Sequence, residues 1–243
     1  QTYLDAQWYK TEGHKEERNL SLEAWNTVQS VPQVFEASDK LDVLRISQLG
    51  KEFNVKYLVK TAGDEYQRLD AVKATGLPLI VSLNFPENLD VKEPYEALNV
   101  SLKDLKHWEL APSNLARLEA AGIPFALTTA DLKEKNKFWE NLRKAIEHGL
   151  TEQTALQALT YHPAGFIYQY NQVGSLEAGK VANFIITSGN VFQKETKILQ
   201  NWVQGKPLEV STPNYFGANP NRLGTYKLEI GKDAYGMVIK GKP

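Results

Sequence analysis

The sequence contains no cysteine and a single methionine. That excludes disulfides, thiolate metal ligands and a cysteine nucleophile, and it fits a reducing or an oxidising compartment equally. Histidine is scarce as well. There are four in 243 residues, and no two form a His-x-His pair. The formal net charge of -1 provides no basic surface for nucleic acid. No apolar run approaches the ~18 residues that a membrane-crossing helix needs. The opening Gln1-Thr2-Tyr3-Leu4-Asp5-Ala6-Gln7-Trp8 is too polar for a signal peptide, and the missing initial Met suggests a processed or excised fragment. Neither a Gly-x-Ser-x-Gly elbow nor a Gly-rich phosphate loop of P-loop type occurs.

What is present suffices for a folded core. The hydrophobic fraction of 42% and the length suit one domain, or one domain with a small appendage. From Pro32 onward, short apolar runs alternate with amphipathic stretches. Val34-Phe35, Val55–Val59, Leu77–Leu83 and Pro124–Thr129 read as strands. The third is apolar almost throughout, as a parallel strand buried on both faces would be. Between them, Ser38 is placed to cap a helix over 39–53 with Leu41, Leu44, Ile46, Leu49 and Phe53 as its stripe, and Asn54 to end it. Asp64 and Gln67 have capping-box spacing, and Gly76 closes that helix. Residues 86–110 read as polar and irregular. Ser113 and Thr151 read as caps of two later helices, and a further helix between these two spans 137–148. Strand-helix repetition at this spacing implies βα units and a parallel sheet.

Past the helices, Val173–Thr187 combines a turn containing Gly174 and Gly179 with a run ending in Phe184-Ile185-Ile186, which reads as a β-hairpin on a small sheet. Residues 212–221 are turn-rich, and 224–230 and 236–242 alternate like two strands of a further β element.

In detail, Thr160, Pro163 and Ala164, then Gly174–Asn183, then Asn201-Trp202-Val203-Gln204-Gly205-Lys206, resemble the closing segment of amidohydrolase-superfamily enzymes. The resemblance covers roughly residues 30–207. It implies an α/β fold: the C-terminal half of a TIM-like (β/α)8 barrel, followed by strands of a small β-sandwich domain. The boundaries implied are 1–165 for the partial barrel, 166–211 for the small β domain, and 212–243 for a linker and the start of a further β element. Residues 1–30 would belong to the middle of the parent barrel. The implied activity is metal-dependent hydrolysis of a non-peptide C–N bond in the parent protein, as in imidazolonepropionase-like members, with a small-molecule substrate. The alternatives are a catalytically degenerate fold used for binding or assembly, and a metal-independent barrel enzyme. The implied partners are the missing first half of the barrel or a second copy. An exported or periplasmic bacterial protein is the localisation suggested.

The family holds one or two divalent metals, zinc or similar, at the C-terminal strand ends, where they activate water. Its ligands are a His-x-His, one His after each of the fifth and sixth strands, and an Asp after the eighth. Here the fifth-strand position holds Glu36, a possible metal ligand or a simple salt-bridge partner. The sixth holds Lys60 or Thr61. Lys60 would serve as a base or carbonyl anchor if burial lowered its pKa. Ungapped alignment puts Ala130 at the Asp position and Asp131 one residue late. Asp131 is therefore the leading catalytic and metal-binding carboxylate, provided the loop restores its direction. His107, in a loop bordering the barrel mouth, is the third catalytic candidate. His14 reads as solvated, His148 as a helix-end residue and His162 as lying at a helix boundary. With at best Glu36 and Asp131 as ligands, the chain alone is expected to hold no Zn²⁺ tightly.

Overall fold

The structure, a computed structural model, describes residues 1–12, 18–208, 210, 224–230 and 233–239. His14 and the linker residues 212–221 lie outside them. Two helices come first, α1 (Thr2–Thr11) and α2 (Leu20–Val28). They pack through Ala6 and Tyr9, with Asn26 Nδ2 donating to the Ala6 carbonyl at 2.8 Å. The Tyr3 hydroxyl ties α1 to the barrel by donating to the Phe53 carbonyl at 2.7 Å.

Four strands follow: β1 (Gln33–Glu36), β2 (Tyr57–Thr61), β3 (Leu79–Ser82) and β4 (Phe125–Thr128). They form one parallel sheet in the order β1-β2-β3-β4, as the βα repetition requires. The register sets Glu36 beside Lys60, Lys60 beside Ile80, and Ser82 beside Thr128. Side chains alternate between faces. Val59, Leu79, Val81 and Phe125 are buried in a core with Val43, Ile46, Val72, Leu115, Leu118 and Leu142 of the helices. Glu36, Lys60, Ile80, Ser82 and Thr128 fall on the opposite face, the side that is the interior of a complete barrel.

Helix α3 (Lys40–Phe53) shows how local chemistry sets the boundaries. Its cap is Asp39, not Ser38. The Asp39 carboxylate accepts from Leu41 N and Asp42 N, while Ser38 N donates to Asp42 Oδ2 at 3.1 Å. Its buried stripe runs through Val43, Ile46, Ser47 and Gly50 rather than through Leu41, which is exposed. A Cβ on Gly50 would lie 2.5 Å from the Val55 carbonyl oxygen, so glycine is what lets the chain return so tightly into β2. Asn54 ends the helix in the left-handed region, φ 53°, as expected.

The capping box expected at Asp64 does not form. Asp64 makes no cap hydrogen bond. Its carboxylate takes the Lys40 ammonium at 2.9 Å instead, and a 3₁₀ turn, Glu65–Arg68, leads into α4 (Leu69–Thr75). The region read as irregular contains two helices, α5 (Pro94–Leu98) and α6 (Leu102–Leu110), the latter capped by Ser101, whose side chain accepts from Asp104 N. Helix α7 (Asn114–Ala120) is not capped by the Ser113 side chain, whose hydroxyl donates to the Leu110 carbonyl. Helix α8 (Phe138–Glu147) and helix α9 (Glu152–Leu159) complete the layer, with Thr151 capping α9 as expected. Helix α10 (Tyr161–Phe166) follows.

The small sheet is antiparallel: β5 (Phe184–Thr187), β6 (Ile198–Val203) and β7 (Lys206–Leu208). The hairpin expected within 173–187 is replaced by turns, and β5 finds its partner in β6. The Gly174–Lys180 turn is locked by Lys180, whose ammonium lies 3.5 Å from the centre of the Tyr170 ring and 2.6 Å from Ser175 Oγ. Gly174 has φ 98°, and a Cβ there would meet the Ala164 Cβ at 2.6 Å. Phe192 enters the barrel core, and Asn190 Nδ2 donates to Glu152 Oε2 at 2.7 Å, joining this segment to α9. Strands β8 (Gly224–Ile230) and β9 (Asp233–Ile239) form the antiparallel pair that the alternation suggests.

Candidate functional site

The C-terminal ends of the four parallel strands gather one charged cluster. Lys60 Nζ lies 2.7 Å from Glu36 Oε1 and 2.5 Å from Asp131 Oδ2. The Lys60 side chain is only 14% exposed, whereas those of Glu36 and Asp131 are 72% and 42% exposed. Ladder register alone brings Glu36 to Lys60. Asp131 arrives differently. Strand β4 ends at Thr128, and Asp131 adopts φ 63°. Asp tolerates that left-handed conformation better than most residues. The turn is pinned on both sides: Thr128 Oγ1 accepts from Ala130 N at 3.1 Å, and Ser82 Oγ donates to the Ala130 carbonyl at 2.5 Å. Ser82 Oγ also accepts from Asn84 N at 3.2 Å. The one-residue offset that would misdirect Asp131 in a continuing strand is absorbed by this turn.

Two opposed effects act on Lys60. Burial, the largest, pulls its pKa down. Hydrogen bonds and attraction from Asp131 and Glu36 push it up and prevail. Lys60 is therefore an ammonium at neutral pH. A base role through a lowered pKa is not what this environment provides; a fixed cation or a carbonyl anchor is. Thr61, the alternative at this strand end, is fully buried on the helix side, with Oγ1 directed at the Ile80 carbonyl at 3.5 Å.

The histidines are engaged elsewhere. His107 stacks on Tyr66 with ring centroids 6.1 Å apart, and its Nδ1 lies 3.0 Å from the Tyr66 hydroxyl. Gln67 Nε2 donates to the same hydroxyl at 3.2 Å, leaving the hydroxyl proton for His107. His107 thus locks α6 onto the turn after β2, whereas the sequence pointed it at substrate. His162 Nδ1 donates to the carbonyl of Phe125, the first residue of β4, at the opposite end of the strands. His148 Nδ1 donates to the Lys144 carbonyl at 2.7 Å.

A second polar cluster escaped the sequence reading. Glu65 is fully buried and accepts from Asn114 Nδ2 at 2.6 Å and from Gly63 N at 3.1 Å. Asn114 Oδ1 in turn accepts from Tyr66 N at 2.9 Å. Burial, the leading cause, raises the Glu65 pKa against these hydrogen bonds. Glu65 looks like an ordinary helix-start carboxylate in sequence, and its partner lies 49 residues away.

The residues present do not fit a tightly held zinc ion. Such a site needs three or four N, O or S ligands. Among the described residues no three His, Cys, Asp or Glu side chains come together. Glu36 and Asp131, the two expected metal ligands, do converge, but on the Lys60 ammonium.

A parallel sheet backed by helices, a charged cluster at the strand ends and a trailing antiparallel sheet together describe the second half of a TIM-type barrel with its small β domain. The chain belongs to the amidohydrolase family, whose profile matches residues 16–222. An amidohydrolase from Thermotoga maritima MSB8 shares the fold with a TM-score of 0.67 at 20% identity, covering 86% of this chain and 54% of that one. Ochratoxinase from A. niger matches with a TM-score of 0.52 at 20% identity, covering 76% of this chain and 43% of that one. A further amidohydrolase matches with a TM-score of 0.54 at 16% identity, covering 77% of this chain and 47% of that one. The chain thus spans about half the length of these solved structures. A comparison with curated proteins gave no match.

Proposed function

We propose that this chain is a catalytically degenerate half of an amidohydrolase-type barrel, kept for binding a small molecule or for assembly. The observation that carries this reading is the placement of the imidazoles. The two strand ends where the family has histidine hold Glu36 and Lys60, while His107, His148 and His162 are committed to Tyr66, Lys144 and Phe125. A water activated by zinc needs neutral nitrogen or thiolate donors around the ion, and this face offers two carboxylates and an ammonium.

Family membership favours a second reading, metal-dependent hydrolysis of a non-peptide C–N bond by the parent protein, with imidazolonepropionase-like chemistry as the model. That reading requires the remaining half of the barrel to bring the histidine ligands, from the parent or from a second copy. Metal analysis of the full-length protein, paired with turnover of linear and cyclic amides, separates the two. The degenerate reading expects less than stoichiometric metal in this barrel and no turnover sensitive to Asp131→Asn. One firmly held metal per barrel, with turnover abolished by that substitution, replaces it with the hydrolase. An exported location, suggested by the sequence, belongs to the same proposal and is checked by cell fractionation.

A further inference from the structure

We propose that the Lys60 ammonium is the resident cation of this site, seated between Glu36 and Asp131 so that a divalent metal is kept out. The inference deepens the degenerate reading above and rests on it for its biological meaning, but its test does not.

Three observations carry it. The ammonium touches one oxygen of each carboxylate, at 2.7 Å from Glu36 and 2.5 Å from Asp131. Carboxylate, cation, carboxylate is the arrangement a divalent ion would impose on the same two side chains. Next, the cation is delivered by a residue with no freedom to leave cheaply. Lys60 lies within β2, its strand position is held by ladder pairing to β1 and β3, and its side chain is largely buried. Finally, the loop is shaped to the contact. Asp131 takes a left-handed backbone conformation, held by Ser82 and Thr128 through Ala130, and in it reaches Lys60. An exposed surface pair would not need such a turn.

The consequence is competitive. An incoming divalent ion must break two charge-assisted hydrogen bonds and then sit beside a positive charge that, among the described residues, has no other acidic partner at the strand end. Exchanging Lys60 for an imidazole removes the competing charge. It also adds a nitrogen donor at a strand end that already faces two carboxylates, which is a three-ligand set suited to zinc.

The test is Zn²⁺ titration of the 243-residue chain by calorimetry, comparing the unaltered protein, Asp131→Asn, Lys60→His and Lys60→His/Asp131→Asn. The expected result is zinc binding at least tenfold tighter in Lys60→His than in the unaltered chain, with the gain lost in the double variant. Equal affinity in the unaltered chain and Lys60→His overturns the proposal. So does submicromolar binding by the unaltered chain that Asp131→Asn abolishes. In case Lys60→His does not fold, ¹⁵N-lysine NMR on the unaltered chain gives an independent answer. A slowly exchanging Lys60 ammonium signal, unmoved by zinc and shifted by Asp131→Asn, supports the resident cation. A Lys60 signal that zinc displaces overturns it. Neither measurement depends on whether the full-length protein hydrolyses anything, so failure here is separable from failure of the degenerate reading.

Discussion

The two faces of the parallel sheet do different work. Toward the helices, Val59, Leu79, Val81 and Phe125 are each buried to within about 1% of completely. Toward the barrel interior stand Glu36, Lys60, Ile80, Ser82 and Thr128, largely polar and, apart from the buried Ser82, partly or fully open. The same ladder holds both sets. Burial of apolar surface accumulates mainly on the helix side, with Leu58 and Ala126 the buried apolar residues of the interior face. More of the stability should therefore reside on the helix side, leaving the interior strand ends freer to change their chemistry. An ion-paired lysine at a strand end of the interior face is the kind of chemistry that such a division permits.

The largest expected effect probes that division directly. Leu79→Ala should destabilise the chain by about 2–5 kcal/mol, the usual cost of a large-to-small change in a closed core. Ile80→Ala, on the open face of the same strand, should cost less than about half of that, since less surface leaves water there. Urea unfolding of both variants reads the difference. Equal losses would show that the interior face is packed as tightly as the helix face.

Glu65 offers a sharper contrast, because it is a carboxylate placed on the packed side. Its pKa is raised by burial. Its share of stability is therefore complete below the ordinary carboxylate pKa and declines as pH rises through the raised value. Unfolding measured from acidic to neutral pH should show this decline, and Glu65→Gln should flatten it. A stability that rises over the same window in the unaltered chain, with no change in Glu65→Gln, would remove Glu65 from the account.

The smallest stability effect should come from the candidate site itself. Lys60→Met removes a largely buried ammonium but leaves the more exposed Glu36 and Asp131 with ready access to water, so the loss should stay under ~1 kcal/mol. A loss as large as that of Leu79→Ala would mean that the triad holds the barrel half together and is not merely a chemical feature of its rim.

Much of this division was legible in the sequence, and the exceptions share a cause. The four strands, their parallel order, the left-handed Asn54 and the Thr151 cap follow from local pattern, because hydrophobic periodicity and end-capping are decided within a few residues. Glu36, Lys60 and Asp131 could be singled out through the family resemblance, which implies ligand positions at those strand ends. The pairing of Lys60 with Asp131 could not, since it depends on the turn at Asp131. Asp64 abandoned its capping role because Lys40, 24 residues earlier, offered a stronger partner. The hairpin expected before β5 gave way to a turn held by Lys180 on Tyr170. His107 was claimed by Tyr66 from 41 residues away. Helix α6 was hidden because Leu102, Leu105 and Trp108, although helically spaced, lie among charged neighbours. In each of these, a tertiary or mixed environment outweighed the local signal.

The central claim is that the cation between Glu36 and Asp131 is Lys60. It is tested most directly by a crystal structure of the chain grown with Zn²⁺, with data collected at the zinc absorption edge. The account predicts continuous density for Lys60 reaching both carboxylates and no anomalous peak between them. A peak ligated by Glu36 and Asp131, with the lysine turned away, would contradict it.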